Sequence, residues 1–118
     1  MRLRPLVSAL LLAALVPAAA SAAEPPAPLA AFVRESYTKY EHLVPMRDGT
    51  RLFTAVYVPK DAGPAKRYPI LMNRTPYSVA PYGIDAYPAS LGPSEAAARE
   101  KFIFVYQDVR GRMMSEGT

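Results

Sequence analysis

The sequence predicts an α/β fold that opens with an antiparallel hairpin and runs into a parallel sheet. Three observations carry this. Asp48-Gly49 lies between two runs of β-forming residues, which marks a hairpin turn. A third β-rich segment and the run Phe102-Ile103-Phe104-Val105-Tyr106 are separated by a capped helical stretch. A strand, a crossover helix and a second strand imply a parallel pair. Finally, that last run is apolar at consecutive positions, as in a strand buried on both faces. The sheet is expected to be incomplete within this chain, since the far neighbour of the last strand and the helices that would cover both faces are still to come. The chain therefore reads as the N-terminal piece of a longer protein.

The elements follow a separate leader. Met1-Arg2-Leu3-Arg4 is a short positive head, residues 6–16 are apolar, and Ala20-Ser21-Ala22 has the small-x-small pattern of a cleavage site. That order reads as a secretory signal cut after Ala22. The apolar run is shorter than the roughly 20 residues of a spanning helix. The expected location is secreted or periplasmic, with no membrane attachment after cleavage. The whole chain has 118 residues, a net charge of +4, 13 prolines, one histidine and no cysteine or tryptophan. Removing 22 residues from 118, with Arg2 and Arg4 among them, leaves 96 residues at +2. Hydrophobic residues at 51% support one core rather than two domains. The absence of cysteine excludes a disulfide scaffold and a thiolate metal site. The arginines are scattered rather than gathered into a basic stripe, so no nucleic-acid partner is expected.

Residues 23–39 read as an N-terminal arm or linker. Pro25, Pro26 and Pro28 favour an extended lead-in, and over 32–40 the pattern fits a short helix or an extended arm equally. Residues 41–46 form the first strand. Asp48-Gly49 makes a two-residue turn, and residues 51–58 form the second strand. Leu52, Val56 and Val58 lie on one face and Phe53, Ala55 and Tyr57 on the other, so cover is expected on both sides. Residues 60–67 are a surface loop, and residues 68–73 are the third strand, with a proline at its start where proline is tolerated. A long loop over 74–93 carries Pro76, Pro81, Pro88 and Pro93 with Tyr77, Tyr82 and Tyr87 between them; loops of this length in compact domains tend to be functional or disordered. Residues 94–101 form a short helix with Ser94 as its cap and Glu95 near the positive end. Residues 102–106 form the buried strand, and 107–112 turn away from it.

A search for chemistry within these residues finds no complete catalytic set. Gly92-Pro93-Ser94-Glu95-Ala96 has only half of the Gly-x-Ser-x-Gly elbow and reads as a helix cap. The single histidine, His42, lies in a strand and reads as a packing or surface residue. No metal or cofactor site is expected. Two segments remain. Asn73-Arg74-Thr75-Pro76-Tyr77 ends the third strand, and ligands gather at the carboxyl ends of strands in open α/β sheets. Spacing alone favours a loop tyrosine packed on its neighbouring prolines over a phenol aimed at a substrate. In Gln107-Asp108-Val109-Arg110-Gly111-Arg112, a carboxylate and a guanidinium two apart, followed by glycine, suit a structural turn fixed by a charged pair.

Taken together, these residues resemble a known family. Val44-Pro45-Met46-Arg47-Asp48-Gly49-Thr50-Arg51-Leu52 is similar to the opening hairpin of secreted Xaa-Pro dipeptidyl-peptidase-like serine hydrolases, a group that includes cocaine esterase, α-amino-acid ester hydrolases and glutaryl-cephalosporin acylases. Arg74-Thr75-Pro76-Tyr77 resembles their third-strand motif. Phe104-Val105-Tyr106-Gln107-Asp108-Val109-Arg110-Gly111-Arg112, followed by Ser115-Glu116-Gly117, resembles the fourth-strand motif. The resemblance spans about residues 40–118, which it marks as the N-terminal portion of an α/β-hydrolase catalytic domain. It implies an acyl-enzyme mechanism on a small-molecule ester, amide or peptide substrate. It also implies that the Tyr77 hydroxyl belongs to an oxyanion hole, which displaces the packing reading of Tyr77. The nucleophile, acid and base carry over to no residue here, so the chain alone is expected to be inactive. The alternative is a small secreted binding module that uses loop 74–93 as its contact surface.

Overall fold

The computed structural model describes residues 24–118, and the signal segment expected over 1–22 lies outside the described residues. The order is α1 (Leu29–Ser36), β1 (Tyr37–Pro45), β2 (Arg51–Pro59), β3 (Ile70–Thr75), α2 (Glu95–Glu100) and β4 (Ile103–Asp108). The four strands form one sheet in the order β1-β2-β4-β3. β1 and β2 pair antiparallel over their whole lengths, and β2 pairs antiparallel with β4. β3 and β4 are parallel, joined through α2, as a crossover requires.

Three boundaries differ from the sequence reading, each for a local reason. α1 begins inside the proline-rich lead-in and passes straight into β1, which starts four residues earlier than expected. No side chain caps α1, so the usual sequence mark of a helix start is missing. Its Val33, with Tyr37 and Lys39 of β1, is buried, so the segment read as an arm contributes to the core. β3 starts after Pro69 rather than at Tyr68, because the Tyr68 hydroxyl turns away to donate to Asp61 at 2.9 Å.

The hairpin turn also differs. Met46 N–H donates to Thr50 O at 2.8 Å and Gly49 N–H to Met46 O at 3.0 Å. Only Gly49 has a positive φ, at 83°. Arg47, Asp48 and Gly49 therefore form a three-residue loop, a tight turn closed by a left-handed glycine. A two-residue type I′ turn would need positive φ at both central residues.

Strand alternation and register separate the two faces of the sheet. One carries Tyr37, Lys39, Phe53, Ala55, Tyr57 and Phe104, and it is covered by α1, α2 and the loop after β3. The core contains Val33, Tyr37, Phe53, Ala55, Tyr57, Val79, Leu91, Ala98 and Phe104. Tyr37 crosses this layer and donates its hydroxyl to Ala98 O at 2.7 Å; burial pushes its pKa up to about 12, keeping it a neutral donor. The other face carries Leu52, Thr54 and Gln107, all buried, then Val56, Val58, Ile103 and Val105, all half-buried, with Ile70 and Met72 exposed. The expectation that β2 and β4 are covered on both sides holds on this second face at Leu52, Thr54 and Gln107 and is corrected at Val56, Val58, Ile103 and Val105, which stay half-buried.

The turn of the hairpin is tied to the end of the sheet. Arg110 donates to both carboxylate oxygens of Asp48, at 2.7 and 3.1 Å. This bidentate pair, with the Thr50 amide, holds the Asp48 carboxyl down from 3.8 to about 2. A depressed carboxyl contributes stability above its ordinary pKa and loses it as pH falls through the folded value. The melting-temperature difference between the natural chain and Asp48→Asn is expected to be present at neutral pH and to vanish as pH drops from about 4 to about 2. A difference that stays constant across that interval would contradict the pairing.

Candidate active site

The carboxyl end of β3 is built from alternating side chains. Arg74 points to the open face, where its Nε donates to Gln107 Oε1 at 2.8 Å. Gln107 Nε2 in turn donates to Thr54 Oγ1 at 2.9 Å, and Thr54 donates to Leu52 O at 3.2 Å. This chain of polar groups crosses β3, β4 and β2 and fixes the Gln107 amide in one orientation. Thr75 points the other way, and its Oγ1 accepts the Tyr77 N–H at 3.1 Å. Pro76, the residue between them, has its φ fixed by its ring. The result is a short turn that throws the Tyr77 side chain outward, leaving it 86% exposed. Tyr77 does not pack on the neighbouring prolines, as spacing alone would have it.

The backbone after Tyr77 is held in an unusual conformation. Ser78 has φ of 95°, a region that residues with a Cβ rarely enter. Its hydroxyl accepts Ala80 N–H at 3.1 Å and lies 2.9 Å from the Tyr82 hydroxyl. Tyr82 gives its own proton to Asp108 Oδ2 at 2.9 Å, so Ser78 is the donor to Tyr82. Burial above all raises the Tyr82 pKa, so the phenol remains a donor.

Asp108 organises this region. It is fully buried at the end of β4. Oδ1 accepts Val79 N–H at 3.0 Å, and Oδ2 accepts Met114 N–H at 3.3 Å besides the Tyr82 hydroxyl. Its carbonyl accepts the Ser115 hydroxyl at 2.6 Å, and Ser115 Oγ accepts Phe53 N–H at 2.8 Å. One carboxylate thus fastens the loop after Tyr77 to the turn after β4, and Ser115 fastens that turn to β2.

The expected pairing of Asp108 with Arg110 is corrected. Arg110 reaches Asp48 instead, because the turn at the end of β4 carries it toward the β1–β2 hairpin while Asp108 still faces inward. Gly111 sits in this turn with φ of 71°, which glycine adopts without strain, and its N–H donates to Glu116 O at 2.9 Å. Glu116 also accepts the Arg51 amide at 2.9 Å and pairs with the Arg51 guanidinium. His42 is exposed on β1, stacked on Tyr40 at 6.4 Å.

A polar cleft of about 280 Å³ opens between the loop and the sheet, lined by Asn73, Thr75, Ser78, Ser90 and Tyr106 among others. Tyr106 closes one side by accepting Gly92 N–H at 2.7 Å. Sequence reasoning named Tyr82 in the long loop and Ser115 in the fourth-strand motif without giving either a role, and it missed Lys39. Neither Lys39 nor Tyr82 carried a local signal: Lys39 lies in the stretch whose pattern fits a helix or an extended arm equally, and the partner of Tyr82 is a carboxylate 26 residues away in the chain. The arrangement presents one free phenol, held by a rigid loop, at the strand end where ligands of such sheets gather. Among the described residues, no group of histidine, cysteine and carboxylates could hold a metal ion.

Residues 48–118 match a family model described as X-Pro dipeptidyl-peptidase (S15 family). No match is found among curated proteins. Among solved structures, an aminopeptidase from the marine sediment archaeon Thaumarchaeota archaeon is 32% identical, with a TM-score of 0.57 over 82% of this chain and 16% of its own. A selenomethionine-labelled α-amino acid ester hydrolase is 30% identical, with a TM-score of 0.56 over 87% of this chain and 17% of its own. The α/β sheet described above corresponds to the N-terminal part of these hydrolase-like folds. The matched segment contains the hairpin turn, Tyr77 and its loop, Asp108 and the turn that follows, and with them the chain belongs to the X-Pro dipeptidyl-peptidase (S15) family.

Proposed function

We propose that this chain forms the first part of a secreted serine hydrolase that cleaves ester or amide bonds of small molecules or peptides through an acyl-enzyme. The observation that carries the reading is the Tyr77 hydroxyl: exposed at the carboxyl end of β3, on a loop tied to the buried Asp108. In this role the phenol donates to the oxygen of the scissile carbonyl as negative charge develops there. A fixed donor is effective because it needs no reorganisation as the reaction proceeds. A nucleophilic serine with its base and acid is supplied by the protein beyond Thr118, and the second oxyanion donor is a backbone N–H beside that serine. Residues 1–118 contain no Gly-x-Ser-x-Gly turn and are inactive alone. The half-buried second face of the sheet supports a larger assembly, since apolar strands facing that way call for cover. Family membership supports the peptidase or ester-hydrolase chemistry.

The test is made on the exported product of the complete reading frame. It is expected to hydrolyse p-nitrophenyl esters or Xaa-Pro p-nitroanilides, to lose that activity on labelling of one serine by a fluorophosphonate, and to begin at Ala23. Residues 23–118 alone are expected to take no label. Hydrolysis that continues after complete labelling, or no hydrolysis of either substrate class, would overturn the proposal.

A further inference from the structure

Lys39 is the other buried charge beneath the Tyr77 loop, and the mechanism above does not use it. Its side chain is completely buried on β1, at the edge of the sheet opposite β3. Nζ donates to Pro81 O at 2.6 Å, to Gly83 O at 2.9 Å and to Ala86 O at 2.9 Å. An ammonium has three protons, and the loop takes all of them. Glu41 Oε1 lies 3.1 Å from Nζ and also accepts Gly83 N–H. The ammonium stands 5.6 Å from the centre of the Tyr57 ring, and the Lys39 amide donates to the Tyr87 hydroxyl at 3.1 Å.

Three carbonyls and a carboxylate converging on one point are the surroundings of a bound cation. Without positive charge there, their aligned negative ends repel one another and lose their hydrogen bonds in a buried place. The loop leaves β3, crosses Asp108 on β4 and Tyr57 on β2, and ends its crossing on Lys39. Asp108 holds it near Tyr77, and Lys39 holds its far end.

We propose that Lys39 is a positioning residue for Tyr77, a built-in cation that clamps loop 78–87 across the sheet. The link to catalysis rests on the reading of Tyr77 as an oxyanion donor; the clamp itself does not. Hydrogen exchange on the complete protein separates the two. In Lys39→Met, which keeps the apolar stem and removes the charge, the Gly83 and Ala86 amides are expected to exchange on the order of tenfold faster or more, with the β2 amides unchanged. In Lys39→Ala, which leaves space at the cage, added ammonium is expected to restore protection, and tetramethylammonium is not. Ammonium is expected to do nothing for Lys39→Met, whose stem fills the space. Steady-state kinetics should show kcat lowered with KM nearly constant in both variants, and ammonium should restore kcat only in Lys39→Ala.

Unchanged loop exchange, no rescue by ammonium, or protection lost equally in loop and β2 would overturn the clamp. Unchanged kcat in Lys39→Met, where Tyr77→Phe does lower kcat, would overturn the link to Tyr77. Unchanged kcat in both Lys39→Met and Tyr77→Phe would count against the reading of Tyr77, and the exchange result would then decide the clamp by itself.

Discussion

Tyr77→Phe in the complete enzyme is expected to lower kcat by roughly ten- to one-hundredfold, with KM and melting temperature nearly unchanged. The split follows from geometry. The phenol is 86% exposed and donates to no residue described here, so removing its oxygen breaks no hydrogen bond of the fold. The ring and the turn that positions it are retained, since that turn is made by the Tyr77 amide on Thr75 Oγ1 rather than by the side chain. What is lost is a donor to charge that develops only in the transition state, and such an interaction appears in kcat rather than in substrate binding. The check is steady-state kinetics with an ester substrate, alongside thermal unfolding. An unchanged kcat would remove Tyr77 from the oxyanion hole. A melting temperature several degrees lower would mean that the hydroxyl has a structural partner and that the kinetic loss is indirect.

Much of the backbone could be read from residues alone, because the signals are local. Asp48-Gly49 marks the hairpin, Ser94 caps α2 through Ala97 N–H at 3.2 Å, and the apolar run at 102–106 marks β4. The parallel pairing of β3 with β4 follows from the crossover helix between them. The differences arise where the deciding partner is distant. α1 lacks a capping side chain and is held by packing of Val33 against the sheet. Tyr68 looks like a strand residue until Asp61 claims its hydroxyl. The apolar second face of β2 and β4 is legible as a pattern, but pattern does not say which residues cover it.

The site divides in the same way. The position of Tyr77 at a strand end was legible, and family resemblance gave it a role. Its support was not. Asp108 and Arg110 are two apart and opposite in charge, so proximity in sequence pairs them; the fold sends Arg110 to Asp48, 62 residues away in the chain, and Asp108 to Tyr82, 26 residues away. Lys39 has the same history. It falls in the segment read as an arm, where nothing local calls for burial, and only the return of the loop over β1 supplies the three carbonyls that make burial tolerable.

Asp108→Ala is expected to destabilise the protein by roughly 3–5 kcal/mol and to cut the yield of folded material before chemistry can be assessed. The carboxylate is wholly inaccessible, and its removal strands the Val79 amide, the Tyr82 hydroxyl and the Met114 amide at once. Water cannot easily replace these contacts in a packed interior. Asp108→Asn separates charge from shape: its carbonyl oxygen can still accept, but its NH₂ group faces donors and must lose at least one of the three bonds. It is therefore expected to be destabilised by less than the alanine variant, and any soluble enzyme recovered should show a lowered kcat, because Val79 and Tyr82 fix the loop two and five residues beyond Tyr77. Chemical denaturation of the three proteins, followed by kinetics on Asp108→Asn, checks both halves. An Asp108→Ala variant of normal stability that has lost its activity would place the carboxylate in the chemistry instead of beneath it.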